Sequence, residues 1–261
     1  MAQASSHRQI GITTHRRLKT RITKIYATDT EVAQAAASEW LDLLLANKSM
    51  TVALSGGRIA KTFFQQVVAQ SKFRSAEFAN VDFFWADERC VPPTDPESNF
   101  YLANEHLLQP LKIGQQKIHR LKGELDPIVA VNQANEEISR TVSSKSNSVP
   151  VLDLVILGMG EDGHVASMFP NTSEAIAQTA APYVHVADSP KPPPNRLSLS
   201  YATIAAAKQV WVLACGSGKQ DALQQSISPS GTTPLARVLK SRSSIQIFTD
   251  INAPFLTHPS S

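Results

Sequence analysis

From about residue 22 onward, short apolar runs alternate with segments whose apolar positions recur at helical spacing. Residues 22–26 predict a short strand, after which Thr28-Asp29-Thr30-Glu31 caps a helix whose apolar face includes Val32, Ala36, Trp40, Leu43 and Leu44. Thr51-Val52-Ala53-Leu54 predicts a buried strand that runs at once into Ser55-Gly56-Gly57-Arg58 and a helix through Phe63, Phe64, Val67 and Val68. Val81-Asp82-Phe83-Phe84-Trp85 repeats the pattern and ends in Ala86-Asp87-Glu88-Arg89. Ser98 is the expected cap of a helix from Asn99 through His106 and Leu108. Lys117 to Leu121 reads as strand-like, and residues 127–142 carry Ile128, Val131, Ala134 and Ile138 at helical spacing.

The run Val151, Leu152, Leu154, Val155, Ile156, Leu157 then breaks into a loop with Gly158, Gly160 and Gly163, followed by a segment expected to open a helix. Strands without polar alternation belong to parallel sheets covered on both faces, and ligands in such sheets sit beyond the carboxyl ends of the strands. Further strands are expected at residues 183–186, 197–201, 209–214 and 245–249. The stiff stretch Lys191-Pro192-Pro193-Pro194-Asn195-Arg196 precedes the second of these, and Cys215-Gly216-Ser217-Gly218-Lys219 with a helix through Leu223 follows the third. The expected fold class is α/β, a mainly parallel sheet with helices on both faces and small additional strands.

At 261 residues, with 42% hydrophobic and 18% charged residues, the chain suits one large α/β domain with a sizeable core. The division expected is a basic, flexible extension over residues 1–24 and a single domain over residues 25–261. Arg8, Arg16, Arg17, Lys19, Arg21 and Lys24 precede the first acid, Asp29, yet the net charge of +3 is too small to argue for nucleic acid as a partner. No stretch approaches the roughly 20 apolar residues of a membrane span, and no apolar signal core follows Met1. With only Cys90 and Cys215, both expected as reduced thiols, the chain is read as cytoplasmic, and as a monomer because no exposed apolar stripe is legible.

Candidate chemistry collects at the strand ends. Asp162 and His164 bring a carboxylate and an imidazole into a glycine-rich loop, a pairing suited to proton transfer near neutral pH. Ser55, Gly56, Gly57 and Arg58 form a strand-to-helix turn whose free amides and fixed cation suit an anion. Asp87 and Glu88 with Arg89 read either as a local ion pair or as charges at the sheet edge. Arg196 and Lys219 add cations, the latter on a second glycine-rich turn. His106 and His119 read as structural. There is no Cys or His spacing for zinc and no nucleophilic Ser elbow, so a small phosphorylated ligand and general-base hydrolysis, without metal or cofactor, fit the inventory.

The loop GMGEDGHVASMFP at residues 158–170 closely resembles the GMGxDGHxASLFP loop of the 6-phosphogluconolactonases, with Met168 at the usual Leu. Residues 54–57 (LSGG), 83–103 (FFWADERCVPPTDPESNFYLA), 193–200 (PPNRLSLS) and 210–219 (VWVLACGSGK) extend the resemblance, in order, over roughly residues 22–250. The resemblance implies a Rossmann-like fold and hydrolysis of 6-phospho-D-glucono-1,5-lactone to 6-phosphogluconate in the oxidative pentose phosphate pathway. His164 matches the family's general base, Asp162 would orient it or the water, Arg89 would stabilise developing charge or hold the sugar, and Asp87 would position Arg89. The phosphate would lie across Ser55-Gly56-Gly57, Arg196 and Lys219. Gly57-Arg58-Ile59-Ala60 departs from the family's GGSTP, and Arg58 is expected to replace the lost hydroxyl contacts; Tyr201-Ala202 departs as well. Two alternatives stand beside this reading. One is a glucosamine-6-phosphate deaminase or isomerase, whose strand end resembles LDEY where this chain has WADER. The other is a sugar-phosphate-binding protein without turnover.

Overall fold

The computed structural model describes residues 20–74 and 77–257. In chain order, β1 (Thr20–Ile25), α1 (Asp29–Ala46), β2 (Met50–Leu54), α2 (Arg58–Ser71) and β3 (Val81–Trp85) come first. Next are β4 (Asp87–Arg89), α3 (Asn99–Ala103), α4 (Pro127–Thr141), the hairpin strands β5 (Lys145–Ser146) and β6 (Val149–Pro150), and β7 (Leu154–Gly158). The chain continues through α5 (Glu174–Ala177), β8 (Tyr183–Val186), β9 (Arg196–Leu199), α6 (Tyr201–Ala206) and β10 (Gln209–Ala214). It ends with α7 (Gln220–Ile227), α8 (Pro234–Ser241), β11 (Ser244–Thr249) and α9 (Pro254–Thr257).

Six strands form the main sheet in the order β1-β11-β10-β7-β2-β3, every neighbouring pair parallel. Successive residues Leu154, Val155, Ile156 and Leu157 of the central β7 are all buried. Because neighbours along a strand point to opposite faces, both faces must be covered, which is why this segment reads as an unbroken apolar run. The register sets Leu54 beside Trp85, Leu213 beside Gly158 and Ala214 beside Thr249, so the carboxyl ends are level. Residues 55–58, 86–89, 159–164, 215–219 and 250 therefore leave the sheet at one edge.

The helices are fixed by caps and by aromatic packing. Thr28 accepts from the N–H of Glu31, Ser98 from that of Tyr101 and Thr233 from that of Ala236, each replacing an N–H partner that a helix start lacks. The Trp40 ring of α1 lies 5.7 Å from Phe63 of α2 and 6.3 Å from Phe83 of β3, joining both helices to the sheet. A second, antiparallel sheet, β4-β9-β8, stands at the carboxyl edge and sets Arg89 directly opposite Arg196.

Several expectations shift. The first strand begins at Thr20 and pairs with β11 through Lys24, so residues 20–24 belong to the sheet and not to a basic extension; the rest of that extension lies outside the described residues. No helix follows the glycine loop, because residues 161–172 are occupied by turns until α5. The helix expected through Leu108 changes to a π-helical turn at Asn104–Leu108. The strand expected over residues 197–201 ends at Leu199, where Ser200 caps α6 instead. At the run from Lys117 to Leu121, Ile118 makes a single parallel bridge with Phe83.

Candidate active site

A cleft of about 660 Å³ opens at the carboxyl edge, and it gathers nine of the ten residues singled out in the sequence: Ser55, Gly56, Gly57, Arg58, Asp87, Arg89, His164, Arg196 and Lys219. Asp162 does not line it. That carboxylate stands behind the imidazole, its Oδ1 2.5 Å from His164 Nδ1 and accepting the His164 backbone N–H at 3.1 Å. Burial pushes the Asp162 carboxyl up, but the backbone N–H and the imidazole outweigh it and hold its pKa below the usual range. An ionised carboxylate on Nδ1 selects the tautomer with its proton there, leaving Nε2 free to accept one. The Phe169 ring, 4.8 Å from the imidazole, packs against its other side.

Glycine is required at Gly160. A Cβ there would meet the His164 ring at 2.1 Å, so the loop can fold back on the imidazole only without a side chain. Gly57, at φ +94°, begins the turn into α2 in a conformation that glycine adopts without strain.

The cations have unequal freedom. Arg89 Nη1 donates to the carbonyl of Glu97 and lies 3.4 Å from its Oε2, while its buried Nε has no partner. Arg196 is almost fully buried; its Nε donates to Pro193 O at 2.8 Å and its Nη2 to the carbonyls of Lys191 and Pro192 at 3.0 and 2.9 Å. Burial and the nearby Arg89 lower its pKa. Lys219 is likewise lowered, chiefly by burial and further by Arg58. Arg58 itself is exposed at the first position of α2. Both glycine turns thus deliver a cation, one of them half-buried.

Some pairings differ from those expected. Glu97, not Asp87, bonds Arg89, and Asp87 instead accepts from Ser167 Oγ at 2.8 Å and Asn99 Nδ2 at 3.3 Å. No Glu88–Arg89 side-chain pair forms. The Glu88 carboxylate is buried under four donors, the N–H groups of Arg89, Asn99 and Phe100 and the hydroxyl of Ser98, and so pins the segment leading into α3. Ser55 Oγ donates to Ile156 O at 2.8 Å, which leaves backbone N–H groups as that turn's donors to a ligand.

Among the cleft residues that the sequence reading gives no site role are Asn99, Glu97, Ser167 and Asp250. Asp250 directly follows β11 and accepts the N–H of Gly216 at 2.9 Å, so the strand-end rule that found the others would have found it. Asn99 and Ser167 carried no such signal. His119 has the structural role expected, with its two nitrogens 2.7 Å from Glu137 and 2.9 Å from Asp82 and its ring stacked on Phe84. Among the described residues, no group of three or more His, Cys, Asp or Glu is arranged to hold a metal ion, and no helix is long and apolar enough to cross a membrane.

Fold and cleft together define an α/β protein of the Rossmann-like class, with an imidazole–carboxylate pair and several cations around one carboxyl-edge cleft. A family model described as glucosamine-6-phosphate isomerases/6-phosphogluconolactonase matches residues 26–247. The chain belongs to that family. The 6-phosphogluconolactonase of Streptomyces coelicolor is 31% identical over 210 residues, covering 77% of this chain and 80% of the relative. That of Treponema pallidum is 35% identical over 185 residues, covering 70% and 75%. The solved structure of 6-phosphogluconolactonase from Trypanosoma brucei superposes with a TM-score of 0.79 at 26% identity, covering 88% of this chain and 96% of the other.

Proposed function

We propose that this protein hydrolyses 6-phospho-D-glucono-1,5-lactone to 6-phosphogluconate. The observation that carries the reading is the Asp162–His164 pair opening onto the same cleft as Arg89, Arg58 and Lys219. In this reading His164 Nε2 takes a proton from water as its oxygen attacks the lactone carbonyl, and Asp162 stabilises the imidazolium that results. The tetrahedral oxyanion then collapses, the bond between the carbonyl carbon and the ring oxygen breaks, and the imidazolium returns the proton to that oxygen. The acid produced ionises in solution. Water is consumed and nothing is oxidised or reduced, so the scheme calls for no cofactor.

Arg89, which lines the cleft beside His164's loop residues and carries a fixed positive charge, is assigned to the developing oxyanion. The phosphate is assigned to the amides of Gly56 and Gly57 together with Arg58 and Lys219, where a helix start adds its own positive end. Arg196, bonded to its own proline loop, acts here by charge and by holding that loop in shape. The reading includes a monomeric, cytoplasmic enzyme of the oxidative pentose phosphate pathway, with the phosphosugar lactone as its small-molecule partner.

The test is hydrolysis of freshly generated lactone, coupled to oxidation of 6-phosphogluconate and corrected for spontaneous opening. Wild type is expected to accelerate the reaction, and His164→Ala to lose about 10²- to 10⁴-fold of that acceleration. A wild-type rate no faster than background sinks the assignment, and an undiminished His164→Ala sinks the mechanism alone.

A further inference from the structure

Asp87 is a buried carboxylate at the cleft wall whose hydrogen-bond donors are both neutral. Ser167 Oγ donates to its Oδ2 at 2.8 Å, and Asn99 Nδ2 donates to its Oδ1 at 3.3 Å and to its backbone oxygen at 2.9 Å. Ser167 and Asn99 are themselves almost inaccessible, at 0% and 3% exposed. Arg196 lies close enough to act on its charge, yet the carboxylate is bonded only to these two neutral, buried groups, so this way of fastening it at the cleft needs a reason.

The reason lies in what each donor touches. The Asn99 side chain rests on Gly56, where a Cβ would come within 1.8 Å of its Oδ1, so the glycine turn and Asn99 cannot shift independently. Ser167 sits in the turn that closes through Met168 N–H to Val165 O at 3.0 Å, beside Ala166 at the left-handed φ of +50°. Its own N–H is held by Ser198 Oγ at 3.2 Å. The next aromatic, Phe169, is the ring packed against His164. A continuous path, buried at Asn99, Asp87, Ser167 and Phe169, therefore runs from the Gly56 turn to the half-buried imidazole.

We propose that Ser167 and Asn99 are positioning residues that hold the Asp87 carboxylate as a strut, fixing the imidazole of His164 relative to the glycine turn at Gly56. Resting on the lactonase reading, this strut aligns the general base with the carbonyl of a substrate anchored at its phosphate. Losing it disturbs alignment in the transition state while leaving the anchor intact.

Ser167→Ala is expected to lower kcat by roughly 10- to 100-fold, the scale of a base displaced by about 1 Å, with KM changed by less than about 3-fold. Inhibition by 6-phosphogluconate stays within the same factor, which also reports a folded anion site. Combined with Asp87→Asn, the Ser167→Ala loss is not multiplied, since both remove one strut. Ser167→Cys, which retains a weak donor in place of the hydroxyl, falls between wild type and Ala and serves if the Ala variant does not fold. The imidazole NMR resonances of His164 shift in both Ser167 variants whatever the turnover. Wild-type kcat in these variants, multiplicative losses, or unmoved His164 resonances overturn the strut. A wild type without lactone turnover rejects the hydrolase reading instead, and the resonances then decide the strut alone.

Discussion

Gly160→Ala isolates the geometry of the acid–base pair from everything else in the cleft. The backbone there has no positive φ, so alanine meets no conformational objection, and the substitution would normally favour folding by about 0.4–1 kcal/mol through the unfolded chain. The obstacle is the imidazole. A Cβ at 2.1 Å from both Cε1 and Nδ1 of His164 falls about 1.4 Å short of ordinary contact, and the same Cβ lies 2.7 Å from Asp162 Oδ1. Pushing the ring that far stretches the 2.5 Å Asp162–His164 contact beyond the roughly 3.2 Å limit of a good hydrogen bond. A displacement of about 1 Å at a reacting group costs on the order of 10²-fold in rate, near 2.7 kcal/mol of barrier. The coupled lactonase assay should therefore show kcat down about 100-fold, while the displaced ring and stretched contact offset the gain through the unfolded chain and leave the thermal midpoint unchanged or lowered. In a His164→Ala background the ring is gone and the second substitution should cost less than about 3-fold. Wild-type kcat in Gly160→Ala, or a double variant 10-fold worse than His164→Ala, would refute the argument.

Gly56→Ala should act on stability, because its Cβ would fall 1.8 Å from Asn99 Oδ1 and 2.5 Å from Asn99 Cγ on a buried side chain with no room to retreat. Overpacking of about 1–3 kcal/mol is expected, read as a thermal midpoint lowered by roughly 2–4 °C for each kcal/mol; an unchanged midpoint would show that the turn is free to move. Burial, aided by Arg58, lowers the pKa of Lys219, so its charge is lost on the alkaline side before an ordinary lysine's would be. Calorimetric binding of 6-phosphogluconate should weaken as pH rises through that region, whereas Lys219→Met should bind more weakly with a flatter pH profile; equal pH profiles would remove Lys219 from the anion site.

The legible part of this protein was the part written locally. Buried strands announce themselves as apolar runs, and a parallel sheet brings their carboxyl ends to one edge, so the residues just beyond each run could be gathered without coordinates. Asp162 and His164 are two positions apart, and their pairing is a property of one loop. Asp87 and Ser167 are separated by 80 positions and meet only because β4 and the glycine loop leave adjacent parts of the sheet edge. Adjacency in sequence even misled, since Arg89 found Glu97 and not its neighbours Asp87 or Glu88. The start of β1 is hidden in the sequence for a related reason: Thr20, Arg21 and Lys24 have a polar pattern, and only pairing with β11 makes the segment a strand.

The antiparallel register adds something that neither pattern nor motif contained. Arg89 and Arg196 are directly opposed on β4 and β9, and like charges in that relation destabilise a sheet. Each guanidinium has acceptors of its own, Glu97 for one and the carbonyls of the proline loop for the other, which hold the pair in place without neutralising both. The lowered pKa of Arg196, caused by burial and then by Arg89, reflects the same crowding of positive charge. In the empty protein Asp87, Glu97 and Glu88 act on Arg196 in the opposite sense, but burial prevails and its pKa stays lowered. The arrangement becomes favourable once negative charge enters the cleft, and in the proposed reaction that charge grows from the lactone carbonyl to the product carboxylate. A preformed positive site beside the imidazole stabilises that growth more than it stabilises the neutral lactone group, which is the condition for accelerating the step and not merely binding the substrate.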